Sequence, residues 1–167
     1  MEVTIRRATA HDYDELCEII EEVDALHREH LPHLFRKPEG PARERDYILG
    51  LLSDQDVAWF VAEVEGPVPR GTEGRLAGFV HVVVRDTPPI PIVVPRRLAI
   101  VDNLAVREGF RRAGIGRALM DKAHRWARNK GATEVELNVY EFNESAIAFY
   151  RSLGYENQRR TMSKRLA

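Results

Sequence analysis

Glycines and arginines are interleaved between Gly109 and Arg117, in the run Gly-Phe-Arg-Arg-Ala-Gly-Ile-Gly-Arg. An apolar segment, Leu98 to Val106, precedes this run. A helical pattern follows it from about Gly114 to Asn129, with Ile115, Leu119, Ala123 and Trp126 on one side. The first N–H groups of a helix lack partners within the helix and carry the positive end of its dipole. Glycine lets a ligand approach the backbone closely. Arg111, Arg112 and Arg117 add positive charge. The chemistry open to such a cluster is binding of an anion, a pyrophosphate above all.

Spacing separates the ways this can be done. A P-loop needs Lys and Ser/Thr after its second glycine, and Ile115 and Gly116 stand there instead. A dinucleotide fingerprint starting at Gly114-Ile115-Gly116 needs a small residue at position 119, which is Leu119, and it should follow a first strand rather than a late one. Both fail on their residues.

Arg111-Arg112-Ala113-Gly114-Ile115-Gly116 resembles the Arg/Gln-x-x-Gly-x-Gly/Ala signature of GCN5-related (GNAT) acetyltransferases. Asp102-Asn103-Leu104-Ala105-Val106 is similar to the family's fourth strand. Asn143 to Ala146, with Ala148 to Tyr155, is similar to its fourth helix and the turn after it. The resemblance implies an α/β GNAT fold, a twisted mixed sheet of six or seven strands with about four helices. It implies acetyl-CoA as co-substrate, without a metal. The strand ending at Val106 and a strand at 134–140 would splay to admit the pantetheine arm. Leu104, Ala105 and Val106 would hold that arm. Arg111, Arg112, Ala113, Gly114, Ile115, Gly116 and Arg117 would hold the pyrophosphate. Asn138, Asn143 and Tyr150 would complete the cofactor side.

The implied reaction is direct attack of a primary amine on the thioester, through a tetrahedral intermediate. The alternatives are a non-catalytic acyl-CoA sensor of the same fold and a transferase of longer acyl groups. An ammonium must lose a proton, and Asp102 is the first candidate for its acceptor, ahead of Glu136 and His81. Tyr150 is the candidate acid for the departing thiolate, although it shares a helix face with Ala146, Phe149 and Leu153. Asn143 also suits a helix N-cap. Glu29 and His30 are candidates for the acceptor pocket, at the end of a helix rich in Asp and Glu. His27, His30 and His33 recur every three residues, but Pro32 interrupts the helix and no Cys completes a site, so no metal is expected. Cys17 falls on an apolar stripe.

These residues need elements to position them. Val3 to Arg7 alternates as a strand. Thr9 is a candidate N-cap for a helix from about His11 to His30, and a second helix is expected from Ala42 to Leu52. Val57–Glu65 and Leu76–Arg85 read as a hairpin around the Pro/Gly loop 66–74. Four prolines at 87–95 mark a loop beside either the acceptor cleft or a second subunit. A short helix is expected from Ser145 to Leu153, and one or two strands at 155–165.

Residues 1–167 read as one domain. Net charge of -1 argues against bulk nucleic-acid binding. No apolar run is long enough to span a membrane. The N-terminus lacks the pattern of a signal peptide. A cytoplasmic protein acting on a small-molecule or peptide amine is expected, and the family resemblance adds a homodimer as one open state.

Overall fold

Five strands form one sheet in chain order in the computed structural model, which describes residues 1–71 and 74–167. They are β1 (Glu2–Arg7), β2 (Val57–Glu65), β3 (Leu76–Asp86), β4 (Arg97–Val106) and β5 (Glu134–Leu137). The first four pair antiparallel, and β5 joins β4 in parallel. The helices are α1 (Tyr13–His30), α2 (Arg45–Ser53), α3 (Ile115–Asn129) and α4 (Glu144–Ser152). The expected hairpin is the β2–β3 pair. Part of its loop, residues 72 and 73, lies outside the described residues.

β2 and β3 read as nearly unbroken apolar runs because both their faces are covered. Phe60, Val80 and Val82 pack with Leu119, Met120 and Ala123 of α3. Trp59, Val61 and Phe79 pack on the other face with Leu16, Ile19 and Ile20 of α1 and Ile48 of α2. Burying a large side chain of this kind contributes about 2 kcal/mol.

The helix starts differ in detail from expectation. Thr9 precedes a 3-10 turn, Ala10–Asp12, and Asp12 takes the N-cap position of α1. The Asp12 carboxylate accepts from the Thr9 backbone N–H and pairs with Arg6. α2 begins at Arg45 rather than Ala42.

Six or seven strands were expected, and five are present among the described residues. The missing element is 155–165. Beyond Tyr155 this segment is exposed and makes no backbone hydrogen bond among the described residues. A strand exists only by pairing, and among the described residues no strand pairs with this segment. The strand expected at 134–140 ends at Leu137 for the same reason.

β4 carries the feature that shapes the site. His81 pairs with Asn103, but Val82 pairs with Val101. Asp102 is therefore the extra residue of a β-bulge. The bulge resets the alternation of the strand. Ala99 and Val101 face α3, whereas Ala105, also odd-numbered, joins the α1 side. Pairing of β4 with β5 stops at Val101 and Leu137, where the bulge begins.

Candidate active site

Past the bulge, β4 runs on to Val106 with one edge uncovered. The Arg107 N–H donates to Ala77 O across to β3 at 2.8 Å. In an antiparallel ladder alternate residues point their N–H and C=O groups to the same neighbour. Arg107 and Ala105 thus face β3, and Leu104 and Val106 turn theirs outward. The Arg111 Nε donates to Val106 O at 3.0 Å, which agrees. The uncovered edge opens onto a cleft of about 2210 Å³ between β4 and the segment that follows β5.

The glycine turn closes one end of this cleft. Arg112 (φ 61°) and Gly114 (φ 79°) both take the left-handed conformation. Left-handed residues in a tight run aim successive N–H groups into one concavity, an anion-binding geometry. α3 starts directly behind, with no acidic residue in its first turn and no side-chain cap on its N–H groups. Gly116 has a different task. A Cβ there would lie 3.3 Å from the Phe149 ring, so glycine allows α3 and α4 to approach. Arg111, Arg112, Gly114, Ile115, Gly116 and Arg117 line the cleft, and Ala113 does not.

α4 supplies the opposite wall. Asn143, Asn138 and Tyr150 line it. The Asn143 side chain accepts from the Ala146 N–H at 3.2 Å, so it caps the helix while facing the cleft. Burial pushes the Tyr150 phenol up to about 12. Leu104, Ala105 and Val106 form the floor. Ala105 contributes bulk rather than donors, since its backbone is turned to β3.

Asp102 lines the cleft with 62% of its side chain exposed, and its Oδ2 lies 3.4 Å from His81 Nδ1. His81 is buried and stacks on Trp59 at 4.4 Å. Desolvation depresses its pKa to about 4, against the pull of the Asp102 carboxylate. The His81 Nε2 is buried without a partner among the described residues. This suits a neutral ring protonated on Nδ1, whose Nε2 has no hydrogen to satisfy. Glu136 and Cys17 do not line the cleft.

The far end of the cleft is aromatic. The His27 ring sits 5.6 Å from each of Phe35, Tyr140 and Phe142. His30 stacks on Phe142 at 4.3 Å. His27, Phe35 and Tyr140 line the cleft, whereas Glu29 and His30 do not. Sequence reasoning missed Phe35, Tyr140 and Phe142. The aromatic pair two residues apart after β5 was the available signal. The histidine rings are spoken for: His27 Nδ1 lies 2.8 Å from Val23 O and His30 Nδ1 3.0 Å from Leu26 O. Among the described residues no three metal-ligating side chains converge.

The acidic face of α1 is largely neutralised. Glu18 pairs with Arg107, Glu21 with Arg28 and Asp24 with Arg43. Glu15 accepts from the Arg75 and Leu76 N–H groups. Glu22 lines the cleft without an ion pair among the described residues.

A sheet split at a bulged fourth strand, with a left-handed turn at its mouth, presents an uncovered strand edge that leads to the N-terminus of α3. The chain belongs to the acetyltransferase (GNAT) family, whose profile matches residues 20–155. It is 31% identical over 155 residues to an uncharacterized N-acetyltransferase of Methanocaldococcus jannaschii, covering 93% of this chain and 61% of that relative. It is 39% identical over 85 residues to streptothricin acetyltransferase of Streptomyces lavendulae, covering 51% of this chain and 41% of that one. The chain thus spans less than two thirds of these relatives' length. Among solved structures, a tetramutant of the BH1408 protein of Bacillus halodurans superposes with a TM-score of 0.85 at 27% identity, covering 98% of this chain and 99% of that one. No described helix is long and apolar enough to cross a membrane.

Proposed function

We propose that this chain is an N-acetyltransferase that moves an acetyl group from acetyl-CoA to a primary amine. The observation that carries the reading is the uncovered edge of β4 leading into the left-handed turn at Arg112 and Gly114. The two share one cleft, and their chemistry suits the two ends of the co-substrate. Outward N–H and C=O groups of Leu104 and Val106 match the amides of a pantetheine arm. The turn and the N–H groups at the start of α3 match its pyrophosphate, assisted by Arg111, Arg112 and Arg117. When bound, acetyl-CoA supplies an acetyl thioester whose carbonyl the amine attacks.

The chain's own residues then have three tasks. Asp102 takes the proton from the acceptor ammonium, directly or through water, because an alkyl ammonium of pKa near 10 does not attack. The outward N–H of Leu104 donates to the oxygen on which charge develops. Tyr150 donates a hydrogen bond to the departing sulfur. At a pKa of about 12, full transfer of its proton to a thiolate of pKa roughly 8.5 is uphill. Its contribution is therefore a hydrogen bond more than a delivered proton. The acceptor is a small-molecule amine that enters from the aromatic end, past Glu22 and Asp24. The similarity to an acetyltransferase named for streptothricin supports that size class.

The test is thermal stability with acetyl-CoA, CoA, ATP and NAD, on the wild type and on Gly114→Glu, followed by an amine screen with thiol detection. Ligand at a hundredfold excess over its Kd stabilises by about 2.7 kcal/mol. Shifts with acetyl-CoA and CoA alone, lost in the variant, with thiol released in the presence of an amine, support the reading. A shift without turnover on any amine points to a sensor of acyl-CoA, and a shift with ATP or NAD sinks the assignment.

A further inference from the structure

The cleft away from the glycine turn is walled with apolar surface that the chain itself leaves uncovered. Leu26, Phe35, Val139 and Tyr140 are each between 36% and 42% exposed, and all four line the cleft. Apolar side chains gathered in a cleft are the usual seat for an apolar part of a ligand. Such a wall suits an acceptor that brings an apolar group along with its amine.

The charged groups on the same walls come in both signs. Asp102, Glu22, Asp24 and Glu39 line the cleft, and so do Arg36, Lys37 and Arg43. Arg28, also there, is committed to Glu21 at 2.5 Å. A polyamine calls for acids on every side, whereas this balance suits a molecule that carries both charges.

Arg43 is the base placed to meet an anion near Asp102. Its backbone is fixed, because the Tyr13 hydroxyl donates to Arg43 O at 2.7 Å and Arg45 lies over the Tyr13 ring at 5.2 Å. Its side chain is loosely engaged. Nη1 donates to Ala42 O at 3.1 Å and lies 3.5 Å from Asp24 Oδ2, while Nε and Nη2 donate to nothing among the described residues. A guanidinium presents its N–H groups in a fixed fork that matches a carboxylate, and most of this fork is open. The Arg43 charge also bears on His81, the partner of Asp102, and opposes protonation of that ring. Arg43 and Asp102 thus act on one stretch of the cleft.

On the footing of the acetyltransferase reading, we propose that the acceptor is a free amino acid with a large apolar side chain, its ammonium at Asp102, its carboxylate on Arg43 and its side chain against Phe35 and Tyr140. The ammonium yields one proton to Asp102 before attack. A second passes to the departing sulfur as the N–C bond forms and the C–S bond breaks. A peptide N-terminus and a polyamine carry no carboxylate beside the amine. Either would leave the guanidinium unmatched, and Arg43 discriminates against both.

The test is thiol release with leucine and phenylalanine, with their α-carboxamides and with their decarboxylated amines. The wild type should favour the acids about tenfold or more in kcat/KM, the worth of a hydrogen bond between charged groups. The carboxamides have the less basic amines and the larger free-base fractions, so amine basicity does not produce that order. Arg43→Gln should raise KM for the acids about tenfold or more, leave KM for the carboxamides in place and abolish the preference, with the acetyl-CoA thermal shift intact. Arg43→Lys should keep part of the preference. Both variants retain the Tyr13 hydrogen bond, which is made to the backbone. Loss of the acetyl-CoA shift in the wild type sinks the acetyltransferase reading, and this proposal with it. With that shift present, carboxamides or decarboxylated amines that match the acids overturn this proposal alone. So does a lack of turnover on all of them, or a preference untouched by Arg43→Gln.

Discussion

His81 Nδ1 lies 3.4 Å from Asp102 Oδ2, and only the bulge in β4 makes that contact possible. In an unbroken strand, Asp102 would face away from its neighbours Val101 and Asn103. The extra residue lets its carboxylate reach the buried ring while most of it stays in the cleft. His81 thus orients Asp102, which in the proposed reaction meets the acceptor. Asp102→Asn keeps the shape and removes the proton acceptor. Amine-dependent thiol release should fall roughly a hundredfold or more, with the acetyl-CoA thermal shift intact. Unchanged turnover would remove Asp102 from the mechanism.

The same ring makes the fold acid-sensitive. The unfolded chain protonates His81 near its ordinary value of 6.5, whereas the folded chain resists until about 4. Stability from this residue is therefore complete above 6.5 and is lost as pH falls from 6.5 to about 4. His81→Gln should flatten urea-unfolding free energy across that window, even if it lowers stability at neutral pH. An unaltered slope between pH 6.5 and 4 would assign the acid sensitivity elsewhere.

How much of this could be read from residues alone depends on the range of the interactions. The α3 stripe of Ile115, Leu119, Ala123 and Trp126 and the turn before it are local chemistry, and they stand where their spacing put them. The face of Asp102 was not legible, because a bulge is set by register against β3 and not by the β4 sequence. The 155–165 strand was not legible as absent, since a segment of strand-like residues forms no strand without a neighbour. The aromatic cluster joins His27 and Phe35 to Tyr140 and Phe142 from opposite ends of the chain, and no window of sequence contains it. The acids of α1 were visible as a patch, but their neutralisation by Arg28, Arg43 and Arg107 needed the fold.

Tyr150→Phe isolates the hydroxyl from the ring. The ring packs with Phe149 and Tyr155, at 5.4 and 5.8 Å, and phenylalanine preserves those contacts. The melting temperature should hardly move. Turnover should fall about tenfold to a hundredfold, the worth of one hydrogen bond to a charged group. KM for acetyl-CoA should stay near the wild-type value. Because burial holds the phenol at about 12, the wild-type rate should show no loss near pH 10 from this group. A rate equal to the wild type would return Tyr150 to the core.

At Gly78, β3 passes close against the backbone of β4. A Cβ there would lie 2.4 Å from Ala105 O, a backbone atom that cannot swing aside. Gly78→Ala should push β4 outward and destabilise by about 1–3 kcal/mol, several degrees in a domain of this size. Displacement of Ala105 carries Leu104 and Val106 with it, so acetyl-CoA affinity should weaken too. Calorimetry and thermal shifts read the two effects apart, and a stable variant with full affinity would show that the strands can separate freely.

The acceptor end is tested by residues that differ in what they line. His27 and Phe35 face the cleft, whereas Glu29 and His30 lie outside it, His30 stacked on Phe142. His27→Leu keeps bulk but removes the hydrogen bond to Val23 O and the edge contacts with three rings. Each aromatic contact of this kind is worth about 1 kcal/mol, so KM for the amine should rise severalfold while acetyl-CoA affinity holds. Phe35→Ala should act in the same direction. Glu29→Gln should leave both constants alone, because its charge is not presented to the cleft. A KM that responds to Glu29 and ignores His27 would mean the amine arrives along the outer face of α1, and the aromatic cluster would then be packing only.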